Sequence, residues 1–460
     1  MSYKKFLALV AITTLTTGII LTGCGGSTTA STTSPSATAT TISTDSTTAN
    51  ESEYFTDRDY NYSYDESSAT RVTLSDNETY TISEEGVYIF SGSVSNAQIM
   101  VNADETAKVQ IVLDNLTMAN DSTACIYGLS ADKIFITTAD GSANSLSMTG
   151  SEYVAIDANN IDGVIFSKCD ITLNGGGSLD ISATVGHGVV SKDDLKITCG
   201  TYNFAVAKKA IEGKESVRIG GGSINVNECY EGIESQEIII LDGEIHITAS
   251  DDGLNAVSAD DNDNNQGIES DGVSNILIEG GTIYINSQGD GIDSNCTVTI
   301  NDGAIYVDGP TGGANGAVDF AGGGTINGGT FIAVGSSAMA ENFASDSTQG
   351  SILLNLNSNE TGEVQLLDSD SNVLASFTPS KSYNSVLIST ASIEDGATYT
   401  LVTGSTSTEI TMDGLIYGEG SGMTGPGGMG GFGGHGGNFQ PDENFQPDEN
   451  FQPGQRPNSN

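Results

Sequence analysis

The sequence predicts an all-β chain built as a right-handed parallel β-helix of about 22 residues per coil, with a small C-terminal β-domain and disordered ends. Three observations carry that expectation: a glycine-rich, cation-poor composition, a repeated pair of short apolar strands around a glycine, and acidic residues recurring at the same period.

The 460 residues include 58 Gly and no Trp, with 15 Lys plus Arg against 60 Asp plus Glu, for a formal charge of −45. Charged residues are only 16% of the chain, so the imbalance is a deficit of cations rather than an excess of ions. Such a surface excludes a nucleic-acid binder, which needs basic groups for phosphate, and attracts metal ions and cationic partners.

The repeat pairs Ile171-Thr172-Leu173 with Leu179-Asp180-Ile181, Leu195-Lys196-Ile197 with Tyr202-Asn203-Phe204, and Val217-Arg218-Ile219 with Ile224-Asn225-Val226. It continues through Ile238–Ile240 with Ile245–Ile247, Ile276–Ile278 with Ile283–Ile285, and Val298–Ile300 with Ile305–Val307, and ends at Thr325–Asn327 with Phe331–Ala333. The glycine before each second strand stands at 177, 200, 222, 243, 281, 303 and 329, so neighbours differ by 23, 22, 21, 38, 22 and 26. One insertion of about 16 residues therefore interrupts a unit of about 22. A unit this short cannot bury its own apolar face, and copies must stack. Leucine-rich repeats have a compatible length, but the strand positions here are mostly Ile and Val.

The flanks differ in composition. Lys4 and Lys5 precede an apolar run that ends at Leu21-Thr22-Gly23-Cys24, a pattern resembling a bacterial lipobox. Residues 1–23 are expected to be a lipoprotein signal peptide, with Cys24 the lipidated mature N-terminus, anchoring the chain to the membrane and exposing it outside the cytoplasm. Residues 24–70 read as a Ser/Thr-rich linker, 71–340 as the repeat domain, and 350–412 as a small β-domain or cap. The tail 413–460 is Gly-rich and repeats FQPDEN, a composition expected to be disordered. The five cysteines beyond Cys24 are odd in number and show no zinc spacing, which favours buried thiols over disulfides.

Equivalent positions of stacked units form columns. One column holds Glu212, Glu234, Asn255, Glu269, Asp293 and Asp319, and beside it lie Glu231, Asp252 and Asp290. Carboxylates about 5 Å apart repel by about 1 kcal/mol in water and by about 3 at an effective dielectric near 20, so the columns call for protons or cations. Hard oxygen donors at this density suit Ca²⁺. The insertion adds Asp251, Asp260, Asp261, Asp263 and Asp271, without an EF-hand spacing. A further column, Asp180, Asn203, Asn225, His246, Tyr284, Tyr306 and Ile332, should face outward. Its His246, Tyr284 and Tyr306 are candidates for a sugar-stacking platform or for an aromatic ladder supporting the strands.

The stretch Gly289-Asp290-Gly291-Ile292-Asp293-Ser294-Asn295, with Ser250–Asn255 before it and Asn315–Asp319 after it, resembles the clostridial carbohydrate-binding β-helix family. Gly86–Gly92 and Gly335–Ala340 share the likeness, which extends over roughly residues 70 to 410. The resemblance implies a calcium-containing fold like that of pectate lyases, binding cellulose or acidic polysaccharides such as polygalacturonate without known cleavage. It carries Asp252, Asn255, Asp290, Asp293 and Asp319 over as calcium or ligand residues. With the columns, the candidate metal set becomes Glu231, Glu234, Asp251, Asp252, Asn255, Asp290, Asp293, Asn295 and Asp319. The sequence departs from the family at Glu341, where Gln is expected, and in the insertion after Asn255.

A calcium-dependent polysaccharide lyase is the rival reading, and a protein-binding adhesin a third. Gly186-His187-Gly188, Arg218-Ile219 and Asp251-Asp252 echo polygalacturonase elements, but the paired aspartates come last rather than first. The expectation is therefore a surface lipoprotein that binds plant cell-wall polysaccharide, uronate-rich glycans included, through Ca²⁺ and without catalysis.

Overall fold

The computed structural model describes residues 51–258 and 270–420. The signal peptide, Cys24, most of the linker, Glu269, the acids at 260, 261 and 263, and the FQPDEN tail lie outside the described residues. Within them helix is confined to Glu51–Tyr54, Asp57–Tyr60 and a 3-10 turn at Ser337–Met339, and strands form the remainder of the regular structure.

Isoleucine and valine at alternate positions build the core. Ile171, Leu195, Val217, Ile238, Ile276 and Val298 pair in succession, all parallel, and each is at most 1% exposed. Leu179, Tyr202, Ile224, Ile245, Ile283, Ile305 and Phe331 form a second buried row. β-branched side chains suit both rows, because their stiff rotamers pack well on a pleated surface. The repeat glycines from Gly200 to Gly329 take φ between +81° and +127°, a conformation that an L side chain rarely adopts.

The all-β class holds, but the right-handed parallel β-helix with coils of about 22 residues is corrected. The strands join one 28-stranded, mostly parallel sheet, a closed array with extra strands. Where two short strands were expected around Gly222 and again around Gly243, single strands run through, Ile211–Cys229 and Ile233–Ala249. Register shifts between Ile219 and Gly220 and between Gly220 and Ser223 let the backbone bend without ending the strand. Antiparallel pairs also enter the large sheet, since Tyr383–Thr390 lies between Thr330–Gly335 and Ser351–Glu360.

The segment 350–412 is accordingly no separate cap. Ser351–Glu360 and Tyr383–Thr390 belong to the large sheet, while Val364–Leu367, Val373–Phe377, Thr398–Thr403 and Thr406–Thr411 form a four-stranded antiparallel sheet. Ile332 and Val334 share one buried cluster with Val364, Leu366 and Leu401. Asp308, 5% exposed, accepts hydrogen bonds from the Ser380 amide and hydroxyl at 2.7 Å, tying the two sheets together.

Residues 51–64, assigned to the linker from composition, pack on the outward side of the large sheet. Asp59 is fully buried, with Lys133 Nζ at 2.7 Å, Lys196 Nζ at 3.7 Å and the Thr172 hydroxyl donating at 2.7 Å. Asn174 and Thr198 donate to its carbonyl. None of the five cysteines described is in a disulfide, and Cys125, Cys169 and Cys229 are buried.

Candidate functional site

Two adjacent rows of side chains form the site. Parallel register places Glu212, Glu234, Asn255, Asp293 and Asp319 in one row. Asn255 pairs directly with Asp293. In the second row, amide-to-carbonyl hydrogen bonds link Gly188 to Lys209, Ala210 to Glu231, Gly232 to Asp252, Gly253 to Asp290 and Gly291 to Gly316. Lys209, Glu231, Asp252, Asp290 and Gly316 thus succeed one another across neighbouring strands.

The tightest cluster joins Glu231, Asp251 and Asp252, each of which offers a carboxylate oxygen within 4.8 Å of the other two. Asn255 Nδ2 lies 3.5 Å from Glu231 Oε2. The Asp290 amide donates to Asp252 Oδ1 at 2.6 Å, and the Gly316 amide donates to Asp290 Oδ1 at 2.5 Å. Gly289 closes over the pair, since a Cβ there would stand 2.5 Å from Asp251 Oδ1 and closer still to Asp252 Oδ1. Only a residue without a side chain leaves both carboxylates in place.

Burial and then mutual repulsion push these acids far above the ordinary carboxylate range. Asp252 rises to about 7, Asp290 to about 8, and Asp293 to about 9. Glu231 is pushed to about 9 by burial and by the neighbouring Glu234. Asp319 is raised by burial, and Glu341 is raised to about 7 by burial and Asp319. Carboxylates crowded this way are stabilised by protons or by a bound cation.

The donor set fits Ca²⁺: it is oxygen only, rich in carboxylate, and arranged by backbone amides that hold individual oxygens in position. Of the nine residues expected as ligands, Glu231, Asp251 and Asp252 converge, and Asp290, Asp293 and Asp319 continue the two rows. Glu234 pairs with Lys209, which also lies 3.7 Å from Glu212, and stays in side-chain hydrogen-bond contact with Glu231. Asn295 follows the strand Ile292–Ser294, and its backbone bonds to Ala256 and Asp271. Glu341, noted in the sequence only as a departure, belongs to the acidic strip and accepts the Phe320 amide at 3.0 Å.

A basic end adjoins the acids. His187 is 6% exposed, with Nδ1 3.3 Å from Glu212 and Nε2 3.9 Å from Asp162, and Lys192 lies 3.0 Å from Glu212. Burial lowers the imidazole to about 4, so it is neutral at pH 7. The polygalacturonase-like elements do not assemble, because Arg218 is paired elsewhere with Asp194 and Glu237. A second acidic trio, Asp193, Asp194 and Glu215, is partly taken by that arginine and by the Ser216 hydroxyl.

His246, Tyr284 and Tyr306 do come together, as a stack with ring centroids 4.8 and 4.9 Å apart and planes within 16°. Phe377 extends it at 5.5 Å. The ring faces are turned on one another, and the strip shows solvent ring edges instead of a flat platform.

Residues 76–259 and 231–422 match the family described as carbohydrate-binding domain-containing protein. The chain belongs to this family. A carbohydrate-binding domain-containing protein of Acetivibrio thermocellus is 36% identical over 122 residues, 26% of this chain and 42% of that relative. The chain thus spans less than half the length of the relative it matches. Among solved structures, a polysaccharide lyase-like protein from C. thermocellum, studied as a gadolinium derivative, is 27% identical. That comparison has a TM-score of 0.43 and covers 56% of this chain and 96% of the other. Membership of this family bears out the family resemblance read in the motifs. No helix among the described residues is long and apolar enough to cross a membrane.

Proposed function

We propose that this carbohydrate-binding protein holds plant cell-wall polysaccharide, uronate-rich glycans in particular, through Ca²⁺ at the acidic strip and does not cleave it. The convergence of Glu231, Asp251 and Asp252, with Asp290 and Asp293 beside them, is the observation that carries the reading. A cation there links protein carboxylates to glycan carboxylates, which is how an anionic chain holds an anionic polymer. Asp252 and Asp290 orient the strip through their amide hydrogen bonds, and Glu212 keeps Lys192 and Lys209 at its end. Engagement of Arg218 by two carboxylates away from the strip supports binding over β-elimination. The lipobox-like Cys24 supports an anchor that exposes the protein outside the cell membrane.

Retention on polygalacturonate and on cellulose, with Ca²⁺ and with EDTA, tests the reading. Calcium-dependent retention without unsaturated uronide absorbance is expected. Product formation overturns it in favour of a lyase, and retention on neither glycan favours an adhesin. Metabolic labelling with palmitate, lost in Cys24→Ala, tests the anchor.

A further inference from the structure

We propose that Lys208 and Tyr230 form a glycan-contact row along the edge of the acidic strip, taking a hexuronate ring on Tyr230 and its carboxylate on Lys208. The inference rests on the carbohydrate-binding reading above and names the residues that contact the sugar rather than the metal.

Backbone hydrogen bonds run from the Lys208 amide to the Gly186 carbonyl (2.9 Å), Tyr230 to Lys208 (2.9 Å), Asp251 to Tyr230 (2.8 Å) and Gly289 to Asp251 (3.0 Å). Lys208, Tyr230 and Asp251 therefore stand side by side on the bends that precede consecutive strands, over roughly 10 Å at ordinary strand spacing. Each sits one residue before a member of the second row, respectively Lys209, Glu231 and Asp252. The row thus borders the converging carboxylates along its whole length.

Exposure singles these residues out. Tyr230 is 48% exposed, more than any other aromatic side chain among the large exposed apolar residues, and its hydroxyl donates to the Asp251 carboxylate. Tyr284 is the other exposed aromatic, and its faces are covered by His246 and Tyr306. Lys208 is exposed and in no ion pair among the described residues, whereas Lys192 and Lys209 are held by Glu212 and Glu234. An open aromatic face suits the C–H face of a pyranose, and an unpaired ammonium suits a carboxylate. Gly289, without a side chain, keeps the row open beyond Asp251.

Calorimetry with oligogalacturonate at saturating Ca²⁺, on the full chain and on Tyr230→Ala, Tyr230→Phe and Lys208→Gln, tests the row. Tyr230→Ala and Lys208→Gln should each weaken binding about ten-fold, with Tyr230→Phe within about two-fold of the unsubstituted chain. Calcium titration without glycan should be unchanged in Lys208→Gln. Retention on cellulose should be lost in Tyr230→Ala and kept in Lys208→Gln. Wild-type affinity in both Tyr230→Ala and Lys208→Gln overturns the row alone, as does a parallel loss of calcium and glycan in Lys208→Gln. An unsubstituted chain that binds calcium but neither glycan overturns the row and the carbohydrate-binding reading together.

Discussion

Single residues decide whether the acids of the site can coexist. Gly289 leaves space that a methyl group would fill, directly against Asp251 and Asp252. Gly289→Ala is expected to lower calcium affinity about ten-fold by moving the two carboxylates apart, with the circular dichroism spectrum unchanged. Calcium calorimetry checks it, and an unaltered affinity would remove Asp251 and Asp252 from the metal site. Asp59 shows the opposite solution to burying a charge. Burial alone would raise its pKa, but hydrogen bonds from Lys133, Thr56 and Thr172 hold it at about 2, below the ordinary 3.8. A depressed carboxylate adds stability above its unfolded pKa, and that contribution, about 2 kcal/mol, is lost as pH falls from about 4 through 2. Asp59→Ala leaves Lys133 and Lys196 buried without their partner and should cost about 3–5 kcal/mol. Urea unfolding at pH 7 and at pH 3 measures both effects, and an equal stability loss at the two pH values would contradict the assignment.

Elements convert periodicity into position. The outward row of the strands Ile233–Ala249, Thr282–Ser287 and Ala304–Asp308 carries His246, Tyr284 and Tyr306, and Phe377 from the four-stranded sheet completes their stack. Tyr306 is the link between the two sheets, with a ring on either side of it. Its replacement by Ala should therefore cost about 2–3 kcal/mol, and that of His246, at the end of the stack, under about 1. Chemical denaturation of the two variants distinguishes a stabilising stack from a sugar platform, for which His246→Ala would lower glycan retention at unchanged stability. The strand Tyr383–Thr390 has a comparable joining role, pairing antiparallel on both sides. Its alternation reads as a strand from sequence, but its two partners are 50 or so and 30 or so residues away, at distances that no local pattern encodes.

At the scale of the whole molecule, the charge of −45 is partly concentrated into a strip. Occupation of that strip should stabilise the fold by about 2.7 kcal/mol when calcium is 100 times its dissociation constant. Differential scanning calorimetry with calcium and with EDTA reads this directly, and a melting temperature indifferent to both would contradict a metal bound within the native strip. The repeat made much of this arrangement legible. The rows through Ile238, through Tyr284 and through Asp293 follow from counting residues between glycines, because parallel neighbours in register stack equivalent positions. Across the insertion the row passes directly from Asn255 to Asp293, a pairing that no count of residues supplies.

By itself the sequence determined the all-β class, the buried isoleucine rows, the outward aromatic row and the family, since all of these depend on period and local motif. Tertiary structure decided the rest. It showed that strands run through Gly222 and Gly243, that residues 51–64 dock on the large sheet through the buried Asp59 carboxylate, and that part of the expected cap completes the large sheet. It also sorted the acids: Glu234 goes to Lys209, while Glu231 turns to Asp251 and Asp252. Side chains three residues apart in one motif look equivalent in sequence. Which of them pairs with Lys209, and which meets Asp251, Asp252 and Asn255, depends on contacts twenty or more residues distant along the chain.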